Sequence, residues 1–239
     1  MVLTMTEITT ATATAPLTTP PSPLLEVFER LGVEIPRGDG ITVIDKSGRR
    51  YLDFYGGHAV ASLGYGHKKL IDALVNQANS LFFQSNAVDV DVRRRAAEKL
   101  LKFAPKGFSR VLFVNTGAEA NENALRIAFL TTKRQRVVCV QGAFHGRSAA
   151  AAAITDHADG WYAFPRKPFD VTWVPHDDVD ALNAAIGADV AAVILEPVQG
   201  VAGARPARRA RVRARGARAA PLPRGAEPAD EGPREARPS

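Results

Sequence analysis

Asn115-Thr-Gly-Ala-Glu-Ala-Asn-Glu-Asn-Ala124 follows the apolar run 111–114 and overlaps a set of residues at helical spacing, Ala120, Ala124, Ile127 and Ala128. A short apolar run suits a strand buried on both faces, and the change of period after it opens a helix. Gly117 lets the backbone come close to a ligand, and the first helical amides have no intrahelical acceptor. Such a turn attracts a phosphate dianion through free N–H groups and the helix dipole. A Thr-Gly-Ala turn is also ordinary α/β punctuation, so taken alone it leaves the ligand open.

Downstream, residues 137–140, 171–174 and 190–195 read as further strands, and residues 178–186 as a crossover helix between the last two. Strands alternating with helices imply an α/β domain with a mainly parallel sheet. Upstream, Leu70, Leu74, Ala78 and Leu81 fall at helical spacing, as do Val92, Ala96, Leu100 and Phe103, which predicts two amphipathic helices. Earlier still, residues 41–45 and 49–54 flank Lys46-Ser-Gly48 as a β-hairpin, and a short helix is expected over residues 24–31. Gly56, Gly57 and the run Gly64-Tyr-Gly-His67 mark close-packed turns, and no internal repeat is visible.

At 239 residues, 46% of them hydrophobic, the chain is long enough for one large domain or two small ones with a real core. Cys139 is the single cysteine, and no Cys/His cluster has metal-ligand spacing, so a reducing, metal-free, cytoplasmic setting is expected. No run approaches the roughly 18 apolar residues of a membrane span. Residues 1–23 are Thr, Ala and Pro with almost no charge, unlike a secretion signal or an arginine-rich presequence. They read as a disordered leader, with Met5 as a second candidate start.

The formal charge of +6 is unevenly placed. Residues 205–239 hold ten Arg and four Asp or Glu, a net +6, so the preceding 204 residues are neutral. Arg, Ala, Pro and Gly make up 28 of those 35 residues, against a body rich in Val, Ile, Leu and Phe. So abrupt a break after Ala204 reads as a change of reading frame in GC-rich coding DNA. The rival reading is a genuine disordered basic arm that meets nucleic acid through phosphate charge.

Two more segments carry chemistry. In Gly142-Ala-Phe-His-Gly-Arg-Ser148, Phe144 at a strand end could lie against a planar ring by offset stacking, and Arg147 offers a bidentate fork suited to a carboxylate. A core Phe and a surface Arg are the plainer readings of the same residues. His145 has the composition of a catalytic base, but a packed, hydrogen-bonded imidazole fits it better. The third segment is Leu195-Glu-Pro-Val-Gln-Gly200.

These three motifs, in this order, resemble the class III pyridoxal-phosphate-dependent aminotransferases, and most of all members of the acetylornithine type. The resemblance covers residues 24–204. It implies a fold-type-I α/β architecture, with residues 24–60 in a small domain and residues 61–204 forming the first half of a large cofactor-binding domain. It implies pyridoxal 5'-phosphate as cofactor, its phosphate held at Thr116, Gly117 and Ala118 and its ring stacked on Phe144. Arg147 then takes the α-carboxylate of the substrate, while Glu122 and Glu196 support the site. Transfer of an amino group from N-acetylornithine, or a similar acylated diamine acid, to 2-oxoglutarate in arginine or lysine biosynthesis is the implied activity, in a homodimer.

The sequence also departs from the family. Val201 stands where many members carry a second glutamate that tunes the position of the reacting amine. The family's Schiff-base lysine and the carboxylate that faces the pyridine nitrogen both belong beyond residue 204, and none of Lys46, Lys68, Lys69, Lys99, Lys102, Lys106, Lys133 or Lys167 sits in that lysine's context. The chain as given is therefore expected to be inactive. Later strands of the fold insert between earlier ones, so their loss would leave open ladders, an aggregation hazard. Other ω-aminotransferases, acting on ornithine, 4-aminobutyrate or succinylornithine, fit the same motifs. A non-catalytic fragment or basic-tailed binding module is the reading from a different class.

Overall fold

The computed structural model describes Leu24 and residues 31–207. The leader, the body of the helix expected over residues 24–31 and the tail from residue 208 lie outside the described residues. The chain divides between Ala96 and Ala97 into two compact units.

In the first unit, strands β1 (Arg37–Asp39), β2 (Thr42–Ile44) and β3 (Arg50–Leu52) form an antiparallel meander with Val43 opposite Tyr51. The hairpin between β2 and β3 matches the sequence expectation, whereas β1 is an addition. Asp45 closes its turn: Oδ1 accepts from the amides of Ser47 and Arg49 at 2.9 Å each, and Oδ2 from the Tyr51 hydroxyl at 2.8 Å. These donors, led by the Ser47 hydroxyl, hold the Asp45 carboxyl down at about 2. Helix α1 (Lys68–Ser80) follows, capped by the His67 ring, which accepts from the Leu70 amide. Helix α2 (Asp91–Leu101) spans the division between the units. Both helices form where the periodicity predicts, yet neither holds a buried residue, and Leu70, Leu74 and Leu100 are exposed.

The second unit contains helix α3 (Gly117–Thr132), strand β4 (Arg136–Val140), helix α4 (Ala149–Ala153), strand β5 (Asp170–Val174), helix α5 (Val179–Ala185) and strand β6 (Val190–Ile194). The three strands make a parallel sheet in the order β5-β4-β6, as α/β alternation requires. Strand β4 alternates between two cores. Val137 and Cys139 pack with Leu125 and Ile154 on one face, and Val138 packs with Val174, Leu182 and Val190 on the other. Full burial of each such side chain stabilises by roughly 1.5–3 kcal/mol, which is why β4 reads as a continuous apolar run. A two-stranded ribbon, β7 (Val198–Gln199) with β8 (Arg205–Pro206), ends the described chain, so the first two tail residues are paired.

Two expectations need correction. Residues 111–114 form no strand: they have no ladder partner among the described residues, and Leu112 and Phe113 are exposed. Composition gives them strand character, but a strand exists only through a neighbour's hydrogen bonds. The face of α3 is also rotated from the one marked by Ala120, Ala124 and Ile127, which are all exposed. Leu125 and Phe129 go inward instead, because these larger side chains bury more apolar area than the alanines.

Candidate functional site

The site lies in the second unit, at the C-terminal ends of β4 and β6, where open α/β sheets bind their ligands. Thr116 is the N-cap of α3, in extended conformation, and its Oγ1 accepts from the Glu119 amide at 3.1 Å. Glu119 reaches back, its Oε2 accepting from the Asn115 amide at 2.7 Å. This reciprocal cap fixes the turn and uses the donors on either side of it. The amides of Gly117 and Ala118 are left without an acceptor among the described residues. Gly117 is exposed, and a Cβ on it would meet nothing within 4 Å, so no side chain packs onto that side of the turn.

The second motif is strapped along the first turns of α3. Gly146, at φ +137°, lies so close that a Cβ on it would stand 2.7 Å from the Ala118 Cβ. Asn121 Nδ2 donates to the His145 carbonyl at 2.8 Å, and Glu122 Oε1 accepts from the Ala150 amide at 3.0 Å. The Ser148 side chain, with the Ala150 and Ala151 amides, holds the Glu122 carboxyl below its ordinary range. Glu122 thus anchors the start of α4, immediately after Arg147.

The third motif fixes Phe144. Its amide donates to Glu196 Oε1 at 2.8 Å, while Glu196 Oε2 accepts from the Gly200 amide at 3.3 Å. Gln199, fully buried, donates from Nε2 to the Gln141 carbonyl at 2.8 Å, tying the same two loops a second time. The Phe144 side chain itself remains 37% exposed, which leaves ring surface for a ligand.

Arg147 is exposed, its guanidinium carbon 5.6 Å from the centroid of the Trp161 ring. That contact orients the planar guanidinium. His145 is buried, and its amide donates to Thr155 Oγ1 at 3.0 Å. The expected hydrogen bond is not made at the imidazole Nε2, which is buried without a partner among the described residues. Burial lowers the pKa of the ring, against a raising influence from Glu196, so the imidazole is neutral at pH 7 and brings no charge to the site.

The geometry therefore joins Ala118, Phe144, Arg147, Glu122 and Glu196 through one loop. A phosphate ester carrying a flat ring fits this set: two open amides at a helix N-terminus, and beside them an aromatic face held by a carboxylate. Asn121, Thr155, Trp161 and Gln199 went unforeseen, since each acts through a partner far away in sequence. Of the lysines, Lys46, Lys68 and Lys167 sit in surface ion pairs with Glu34, Asp72 and Asp159. Among the described residues no cluster of His, Cys, Asp or Glu could hold a metal ion, and no helix is long and apolar enough to cross a membrane.

The aminotransferase class-III family pattern matches residues 28–215. The chain belongs to the class-III aminotransferases. The match begins ahead of the first strand and runs past Ala204, where the composition changes. Among similar class-III enzymes, the acetylornithine aminotransferase of Streptomyces clavuligerus is 40% identical over 181 residues, 75% of this chain and 44% of that protein. A [LysW]-aminoadipate semialdehyde transaminase of Deinococcus radiodurans is 37% identical over 188 residues, 76% of this chain and 43% of its own length. The chain thus spans about half the length of the curated relatives it matches. An ornithine aminotransferase structure from Toxoplasma gondii, described as showing partial occupancy of PLP at its active site, superposes with a TM-score of 0.70. It is 31% identical and covers 77% of this chain, which covers 45% of it. The neighbours agree with a fold-type-I architecture for this class-III chain.

Proposed function

We propose that this chain carries the phosphate-and-ring cradle of a pyridoxal 5'-phosphate-dependent transaminase of the acetylornithine type. The observation that carries the reading is the pair of open amides at Gly117 and Ala118, with Ala118 against Gly146 and a partly exposed Phe144 in the same loop. Thr116 sets the turn, Gly117 and Ala118 donate to the phosphate, and Phe144 covers one face of the ring. When bound, the cofactor supplies the electron sink for amino-group transfer. Arg147, steadied by Trp161, holds the substrate's α-carboxylate, and Glu196 and Glu122 keep the two loops in register.

The whole enzyme would move an amino group from N-acetylornithine, or a similar acylated diamine acid, to 2-oxoglutarate, in arginine or lysine biosynthesis. The names of the similar proteins support this class of donor. Ornithine as donor is the second reading, favoured by the likeness to an ornithine aminotransferase. A cytoplasmic homodimer, with residues 24–60 in the small domain and residues 61–204 in the large one, completes the proposal. The chain as given binds the cofactor but does not turn over, since none of its lysines lies in the family's lysine context.

Incubating the purified chain with cofactor, acetylornithine and 2-oxoglutarate tests this. No glutamate above the protein-free control is the expected result, together with cofactor retained on equilibrium dialysis. Glutamate formed at enzyme-like rates would contradict the inactivity, and absence of retention would contradict the cradle.

A further inference from the structure

We propose that the second unit holds a separate small-molecule site, for a monoanionic carboxylate with an apolar body, between the inner face of α3 and the segment entering β5. The cavity there measures about 590 Å3. Small-molecule sites commonly occupy roughly 300–1,000 Å3. None of Gly117, Ala118, Phe144 or Arg147 lines it, so it is distinct from the cofactor cradle.

Its apolar floor is Leu125 with the Phe129–Phe169 pair, whose ring centroids are 4.9 Å apart. Its cations are Arg126, Arg134 and Lys167. Two of these are already engaged: Arg134 Nη1 donates to the Val190 carbonyl at 3.0 Å, and Lys167 Nζ to Asp159 at 2.9 Å. Arg126 has no hydrogen-bond or ion-pair partner among the described residues, although its guanidinium can donate five hydrogen bonds. The two carboxylates of the lining are Glu122 and Asp170. Glu122 is turned to the amides of Ala150 and Ala151. Asp159 balances Lys167, so Arg126 is the lining cation whose donors no group among the described residues takes up, and one such guanidinium suits a monoanion better than a phosphate dianion. The aromatic floor then takes an aryl or alkyl body, whose burial the hydrophobic effect favours.

Isothermal titration of the full 239-residue chain with 4-phenylbutyrate tests the assignment. The acid is expected to bind, with its uncharged amide weaker by about tenfold, as loss of a charge-assisted hydrogen bond implies. Arg126→Ala should weaken the acid by a similar factor, Arg126→Lys should keep most of the affinity, and saturating pyridoxal phosphate should not displace it. Because the Arg126 side chain holds nothing in place, the far-UV spectrum should not change. Equal binding of acid and amide, equal binding by wild type and Arg126→Ala, displacement by pyridoxal phosphate, or no heat at millimolar acid would each overturn the proposal.

Discussion

Gly146 lies against Ala118 with no room for a side chain: an added Cβ would sit 2.7 Å from the Ala118 Cβ and 2.9 Å from that of Ala151. This one contact brings the loop that carries Phe144 and Arg147 onto the helix terminus that carries the open amides. Its φ of +137° is one that side-chain-bearing residues rarely adopt, so the glycine is required twice over.

Gly146→Ala is therefore expected to destabilise the second unit by about 1–3 kcal/mol, the usual cost of overpacking or of a forced backbone conformation. It should also weaken cofactor binding. Adding Ala118→Gly removes the closest steric partner but leaves the Ala151 contact and the φ strain, so chemical denaturation should show partial rescue. Full stability in the single variant would show that the loop is not packed as described.

Glu196 holds the Phe144 amide at 2.8 Å, an ionised acceptor on a main-chain donor. Replacing it with Gln keeps the shape and removes the charge. Pyridoxal phosphate should then bind about tenfold less tightly, as the difference between charge-assisted and neutral hydrogen bonds implies, while inorganic phosphate binding stays unchanged. Fluorescence titration with both ligands separates the two, and a parallel loss of both would contradict a ring-positioning role.

Much of this arrangement was legible in the sequence. Strand β4 declared itself because burial on both faces demands an apolar run, β5 and β6 through their valine-rich segments, and α5 because Asp178 caps it by accepting from the Ala181 amide. The start of α3 was equally plain, from Thr116 and Gly117. The face α3 presents inward was not, since its alanines keep helical period on the exposed side while Leu125 and Phe129 fill the core. Residues 111–114 had the composition of a strand but lack the neighbour that would make them one. Strand β1 was hidden by Arg37-Gly-Asp39, residues with no strand preference, and the contact of Gly146 with Ala118 belongs to tertiary structure alone.

Cys139 is fully buried in the centre of β4, where burial pushes its thiol up to about 12. A thiol-specific disulfide reagent at pH 8 should leave it unmodified in the native chain and react with one thiol in denaturant. Rapid labelling without denaturant would mean that the core between α3 and the sheet is not formed.

Asp45 gives the first unit a pH dependence of defined sign. Its folded pKa, about 2, lies below the ordinary 3.8, so its contribution is complete above that ordinary value and is lost as pH falls towards 2. Asp45→Asn should abolish that part of the slope between about pH 4 and 2 and lower stability at neutral pH. Denaturant midpoints across this window check it, and identical slopes for variant and wild type would count against the hairpin's hydrogen bonds.

The exposed apolar side chains of α1, α2 and residues 111–114 should bind 8-anilinonaphthalene-1-sulfonate and promote self-association. Light scattering that stays flat across a tenfold rise in protein concentration, with no dye enhancement, would contradict this.

The most direct test of the cradle is Gly117→Asp. The position has space for a side chain, and a carboxylate in the first turn of α3 suits the helix dipole, so folding should be unharmed. The same charge would stand where the proposed cradle holds the cofactor's phosphate. Pyridoxal phosphate titrated into wild type and variant should show at least about a tenfold loss of affinity with no loss of stability; equal affinity would place the cofactor elsewhere and contradict the account.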